Sequence, residues 1–270
     1  MPFEYFQRVI FLNITVDESE NLLFLFDTGA EVSSIDEQTL YKLDLPFIRT
    51  GFLERNGTPV NLAFVKAEKL QAGNASIRNM DLAVENLGYM PGPAGRHIDG
   101  ILGTDFLKYF TVEIDFVKHK ISFSKNSECT GGYIPFEMDN NIPKIKVTIN
   151  DTIHTFLRYE SGSSLFNSDS TFASAETESW IALQQGNRGY YTASNSSGMV
   201  PDIEKFEAVP VRTFFFVGQK IKYPYLFVQP GQGYLVSPHS VGFFGNNLLE
   251  KFERVSIDFP ANRICFPGKE

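Results

Sequence analysis

Two stretches place an acid, a hydroxyl residue and a glycine directly after an apolar run. They are Leu22-Leu-Phe-Leu-Phe-Asp-Thr-Gly-Ala30 and Thr155-Phe-Leu-Arg-Tyr-Glu-Ser-Gly-Ser163. In each, the glycine lets a turn close with no Cβ in the way, and the hydroxyl of Thr28 or Ser161 can lock the turn by hydrogen bonding. Two carboxyls presented on such turns have a defined chemistry. One, ionised, takes a proton from water while the other, protonated, polarises the carbonyl under attack, so hydrolysis needs no metal and no covalent nucleophile. Carboxyls held about 3 Å apart cannot both ionise, so one keeps its proton where a lone Asp would not. The candidate catalytic pair is Asp27 and Glu160, with Thr28, Gly29, Ser161 and Gly162 in support.

The two halves of this pair are unequal. One extra methylene moves the Glu160 carboxyl by about 1.5 Å, and misplacement on that scale can cost roughly 100-fold in rate. Glu160 therefore reads either as a working second carboxylate or as an acid in a half that has lost catalysis. Arg158, two residues earlier where the first stretch has Leu25, shares a strand face with it. It either biases Glu160 toward its ionised form or extends its head to solvent.

The elements that must position these residues repeat along the chain. Residues 99–123, DGILGTDFLKYFTVEIDFVKHKISF, align with residues 241–266, VGFFGNNLLEKFERVSIDFPANRICF, given one extra residue in the second copy. Gly100/Gly242, Gly103/Gly245, Leu107/Leu249, Phe110/Phe252, Ile114/Ile257, Asp115/Asp258, Phe116/Phe259, Ile121/Ile264 and Phe123/Phe266 are identical. Turn glycines and strand aromatics fall in register together, so two homologous lobes are expected, 1–130 and 131–270, with the boundary in the turn-rich segment 126–137. Within the first half, strands are expected at 7–16 and 22–26, a short helix at 36–43, and a strand pair at 62–72 and 76–85 around Gly73-Asn74. Another short helix is expected within 103–110, then strands at 111–116 and 119–124. Asn56-Gly57 lies between extended segments, a strong hairpin signal because both central positions of a type I′ turn need φ > 0.

Composition favours strands. The 270 residues include 26 Phe and 11 Tyr, with 43% hydrophobic and 21% charged residues, and aromatic rings fit a pleated, half-buried surface. A net charge of −8 without any basic run argues against a nucleic-acid partner. No stretch reaches the roughly 18 apolar residues of a membrane span. The opening MPFEYFQRVIFLN lacks the features of a signal peptide, so a cytoplasmic location is expected, or a periplasmic or secreted one for a trimmed chain. Cys129 and Cys265 are either two buried thiols or one bridge between the ends of the halves. The four histidines show no paired metal-ligand spacing, and no metal or cofactor is expected. Asp115 and Asp258 end Ile-Asp-Phe strands and read as structural acids.

Asp27-Thr28-Gly29-Ala30 after an apolar strand, followed by Ser34-Ile35, Ile101-Leu102-Gly103 and Ile114-Asp115-Phe116, resembles the retropepsin and pepsin group of aspartic proteases, in a bacterial single-chain form. The resemblance covers residues 3–124 and, through the repeat, most of the second half. It implies an all-β fold of two acid-protease-type barrel lobes related by a pseudo-twofold axis, with one acid from each lobe. The Asn56-Gly57 hairpin takes the place of the family's mobile flap over an extended peptide. The resemblance further implies a monomeric aspartic endopeptidase acting on a peptide or protein, with a degenerate Glu-Ser-Gly second motif. Two alternatives stand beside it: an inactive protease-like fold that binds a peptide or protein partner in the inter-lobe cleft, and a homodimer that pairs Asp27 with Asp27 of a second copy.

Overall fold

The computed structural model describes residues 1–55, 58–90, 92–125, 129–151, 153–163, 171–174, 189–193, 204–210, 213–221, 225–228 and 242–266. The fold is all-β, with short α-helices only at Glu37–Leu43, Thr104–Leu107 and Asn246–Leu249, and single 3-10 turns at Pro93–Gly95 and Glu250–Phe252, among the described residues. Asn56 and Gly57 lie outside these residues. The strands on either side of them, Phe47–Arg55 and Thr58–Ala72, pair antiparallel up to Arg55 opposite Thr58.

An eight-stranded sheet carries the first acid. Its order is Glu4–Phe6, Val9–Val16, Ser19–Phe26, Gly100–Leu102, Ser34–Asp36, Ala75–Glu85, Thr58–Ala72, Phe47–Arg55. A further pairing of Val16 with Leu70 joins its second and seventh strands. The apolar run before Asp27 is covered on both faces, since Leu23, Phe24, Leu25 and Phe26 are all buried. That is what an unbroken apolar strand requires, because successive side chains point to opposite faces. The strand expected from residue 7 begins at Val9 instead. Gln7 and Arg8 both have positive φ, 49° and 63°, and turn the chain between Glu4–Phe6 and Val9–Val16.

The second acid follows Ile153–Tyr159 in a ten-stranded sheet, which places that strand between Ile142–Ile149 and Phe243–Phe244. A third, five-stranded sheet draws on the middle and the C-terminal part of the chain. Thr111–Asp115 pairs with Arg254–Asp258, which pairs with Arg263–Phe266, while Lys120–Ser124 and Gly132–Pro135 form its edges. The matching segments of the internal repeat thus lie side by side, antiparallel, with Ile114 opposite Val255 and Val112 opposite Ile257. One buried apolar cluster runs through both halves, from Ile10, Phe24 and Leu102 to Tyr159, Phe244 and Ile264.

Cys129 and Cys265 form a disulfide, with Cα atoms 5.7 Å apart, which fixes the segment after residue 128 to the strand Arg263–Phe266. Asp115 and Asp258 act as strand-end acids. Asp115 accepts the Lys118 N–H at 2.7 Å, and Asp258 pairs with Arg263 at 2.9 Å. No helix among the described residues is long and apolar enough to cross a membrane.

Candidate active site

Each acid sits at the end of a strand that runs parallel to an apolar-apolar-Gly strand. Leu25 and Phe26 lie beside Ile101 and Leu102, and Arg158 and Tyr159 lie beside Phe243 and Phe244. The ladder continues one step into each turn. The Asp27 N–H donates to Leu102 O at 3.0 Å, and the Glu160 N–H donates to Phe244 O at the same 3.0 Å. The turns then close alike, Ala30 N–H to Asp27 O and Ser163 N–H to Glu160 O, both 3.3 Å. Equal backbone bonding at both acids is what the repeat in the sequence requires.

The two turns meet through their hydroxyl residues. The Thr28 N–H donates to Ser161 Oγ at 2.9 Å, and the Ser161 N–H donates to Thr28 Oγ1 at 3.1 Å. Each hydroxyl also donates across to the opposite strand: Thr28 Oγ1 to Tyr159 O at 2.5 Å, and Ser161 Oγ to Phe26 O at 3.0 Å. Both residues are fully buried. All four bonds are therefore shielded from water, where removing one partner leaves a buried polar group unsatisfied at a cost of about 1–3 kcal/mol.

The glycines bring each turn against the opposite acid. The Gly162 N–H donates to Asp27 Oδ1 at 3.1 Å, and the Gly29 N–H reaches the same oxygen at 2.8 Å. A Cβ on Gly162 would stand 2.4 Å from Asp27 Cγ, which no real side chain allows. A Cβ on Gly29 would stand 3.0 Å from Glu160 Cγ and 3.3 Å from its Cβ. Hence the Glu160 side chain runs over Gly29, next to Asp27, and it is only 8% exposed.

The Arg158 guanidinium is not out in solvent. Its Nη2 lies 2.9 Å from Asp139 Oδ2, and its side chain is 14% exposed. Behind the first turn, Asp105 Oδ1 accepts the Ser33 N–H at 2.9 Å and the Ser33 hydroxyl at 2.6 Å, and the Gly103 N–H donates to Ser33 Oγ at 3.0 Å. Burial pushes the Asp105 carboxyl above the ordinary aspartate range. Behind the second turn, the Tyr159 hydroxyl donates to Asn246 Oδ1 at 2.6 Å. Burial, and then the negative charge of Asp27, push this phenol up, so it remains a proton donor. Sequence reasoning does not single out Asp105, Tyr159 or Asn246. The one signal in reach is the repeat itself, in which Tyr159 replaces Phe26 and Asn246 replaces Thr104.

Residues 12–106 match the family model described as Aspartyl protease. The match contains Asp27-Thr28-Gly29 and Ile101-Leu102-Gly103 and ends before the Glu160 motif. No curated protein matches the chain. Among solved structures, a retropepsin-like aspartic protease from Rickettsia conorii is similar at 21% identity, over 41% of this chain and 79% of that one, with a TM-score of 0.30. Conglutin gamma from lupine seeds is similar at 9% identity over 97% and 93% of the two chains, TM-score 0.49. Basic 7S globulin from soybean is similar at 7% over 98% and 92%, TM-score 0.48.

Proposed function

We propose that the chain is an aspartic-type endopeptidase in which Asp27 and Glu160 activate one water between two lobes, 1–130 and 131–270. The family match over residues 12–106 supports the protease class. The observation that carries the pairing is the reciprocal exchange between Thr28 and Ser161, which sets Gly162 against the Asp27 carboxyl and Gly29 against the Glu160 side chain. A second copy offering its own Asp27 turn would have to displace Ser161 from these bonds, so the monomer is the favoured unit.

In this reading Asp27 is the charged partner, because two backbone N–H groups converge on its Oδ1 and hydrogen bonding to the charged form favours that form. Glu160, buried, carries the shared proton. Asp27 takes a proton from water as the oxygen attacks the scissile carbonyl, and Glu160 gives its proton to the carbonyl oxygen, yielding a neutral tetrahedral diol. On collapse the C–N bond breaks as Asp27 gives its proton to the leaving nitrogen and Glu160 takes one from a diol hydroxyl, which restores the starting protonation. The antiparallel strands Phe47–Arg55 and Thr58–Ala72 supply the cover over the extended peptide in this proposal.

Digestion of a mixed peptide library between about pH 3 and pH 7 tests the class, because a shared-proton dyad works only while one carboxyl stays protonated. Cleavage with an acidic optimum, blocked by a statine-like mimic of the tetrahedral state, is the expected result. No cleavage at any pH, together with peptide binding that survives Asp27→Asn, would overturn it.

A further inference from the structure

The two acid turns are held from behind in different ways, and the difference falls where the second acid departs from Asp. In the first half the Thr104 hydroxyl donates to Ala30 O at 2.9 Å, three residues past Asp27. Asn246 occupies the matching place after Gly245 and is fully buried. Its Nδ2 donates to Ser161 O at 3.1 Å, only one residue past Glu160, and to Arg8 O at 2.7 Å, while its Oδ1 accepts the Tyr159 hydroxyl. The tether in the second half is thus two residues nearer the acid.

Its anchor outside the second half is the turn Gln7–Arg8. Both residues hold positive φ without being glycine, an arrangement that costs about 1–2 kcal/mol per residue. The structure around the turn holds it there. Tyr5 donates its hydroxyl to Glu250 Oε2 at 2.6 Å, and Arg8 Nη2 pairs with Glu250 Oε1 at 3.2 Å. The Arg8 carbonyl is thereby presented to Asn246, and the first hairpin of the chain bears directly on the Glu160 turn.

The contacts at the two glycines show what such a tether has to accomplish. Gly162 faces the carboxyl atoms of Asp27, whereas Gly29 faces the Cβ and Cγ methylenes of Glu160. At equivalent places the first acid presents its functional group and the second presents its stem. The Glu160 carboxyl accordingly projects one bond further, and small rotations of its turn swing it more than they would swing an Asp.

We propose that Asn246, clamped between Tyr159 and the Arg8 carbonyl, is a positioning residue that fixes the Glu160 turn so that the longer side chain delivers its carboxyl to Asp27. This role rests on the Asp27–Glu160 dyad proposed as the catalytic pair. The Phe26/Thr104 pair suits an Asp, and the Tyr159/Asn246 pair suits a Glu.

Two readouts on the full chain test it, using the double variant Tyr159→Phe/Asn246→Thr, which copies the first half. The first needs no turnover: the Glu160 carboxyl is titrated by NMR in protein labelled with carboxyl-13C glutamate and assigned by Glu160→Gln. The expected result is that the double variant moves the Glu160 midpoint by about half a pH unit or more, and loses most of the response to Asp27→Asn seen in the wild type. An unchanged midpoint with an unchanged response overturns the proposal.

The second readout is steady-state cleavage. The double variant is expected to lower kcat by about 100-fold with KM changed by less than about twofold. Glu160→Asp should lower kcat in the wild-type background and raise it in the double variant, a reversal that a merely structural role would not produce. Equal effects in both backgrounds overturn the proposal. A wild type that cleaves nothing overturns the protease reading instead, and the titration then decides the positioning role alone. If the double variant does not fold, Tyr159→Phe, which removes only one hydroxyl, is read on the same scales.

Discussion

Gly162 lies against the carboxyl of Asp27 so closely that a single methyl group there would stand 2.4 Å from Asp27 Cγ, while its N–H donates to Oδ1 at 3.1 Å. The first acid is therefore shaped by the second turn. Gly162→Ala should destabilise the protein by about 1–3 kcal/mol through overpacking and abolish any cleavage. Gly132→Ala, where an added Cβ meets nothing within 4 Å, should change stability by no more than about 0.5 kcal/mol. Urea denaturation of both variants, followed by intrinsic fluorescence, gives the comparison.

The Thr28–Ser161 exchange is a reciprocal unit, and its members should not behave independently. Thr28→Val keeps the shape but strands the buried Ser161 N–H and Tyr159 carbonyl, an expected loss of about 1–3 kcal/mol. Ser161→Ala should cost a similar amount, and the double variant clearly less than the two losses added together. Additive losses in a double-mutant cycle would mean that the two hydroxyls do not share a network.

Asp105 makes a prediction in pH. Its carboxyl is raised above the ordinary aspartate value by burial, so the folded state binds a proton more tightly than the unfolded state does. The folded protein then binds more protons across the interval above that ordinary value, and stability falls as pH rises through it. Asp105→Asn keeps an oxygen to accept the Ser33 N–H and hydroxyl but cannot ionise. It should raise stability at neutral pH relative to the wild type, with the advantage vanishing below the ordinary aspartate range. Thermal melts across pH check this, and a constant difference at all pH values would refute it.

The second copy of the repeat carries Asn247 where the first carries Asp105. Such pairings are legible because the repeat is colinear: Asp27-Thr28-Gly29 against Glu160-Ser161-Gly162, and Ile101-Leu102-Gly103 against Phe243-Phe244-Gly245. The turn at Gln7–Arg8 is not legible, because neither residue type signals positive φ; the backbone conformation there is imposed by tertiary contacts. Nor can spacing reveal that Thr111–Asp115 pairs with Arg254–Asp258 in a sheet common to both halves, since strand pairing between distant segments leaves no local pattern. Sequence spacing sets Arg158 against Glu160, two residues further along the chain, but Asp139, two strands away in the same sheet, holds its guanidinium.

The Cys129–Cys265 bridge also lies beyond the sequence, because two cysteines this far apart are compatible with bonded and free states alike. It spans a separation of 136 residues, and constraining so long a loop in the unfolded chain is worth about 2–5 kcal/mol. Reduction with dithiothreitol, or the double change Cys129→Ser/Cys265→Ser, should lower the denaturation midpoint by a corresponding amount. An unchanged midpoint would show that the bridge contributes nothing to stability.

Hydrolysis by one carboxyl from each turn is tested most directly by initial rates on a single cleavable peptide at the optimum pH, for the wild type, Asp27→Asn and Glu160→Gln. Both variants should lose about 1,000-fold or more in kcat while remaining folded. Glu160→Gln cleaving at the wild-type rate would contradict the account, because the shared proton would then have no second carboxyl to hold it.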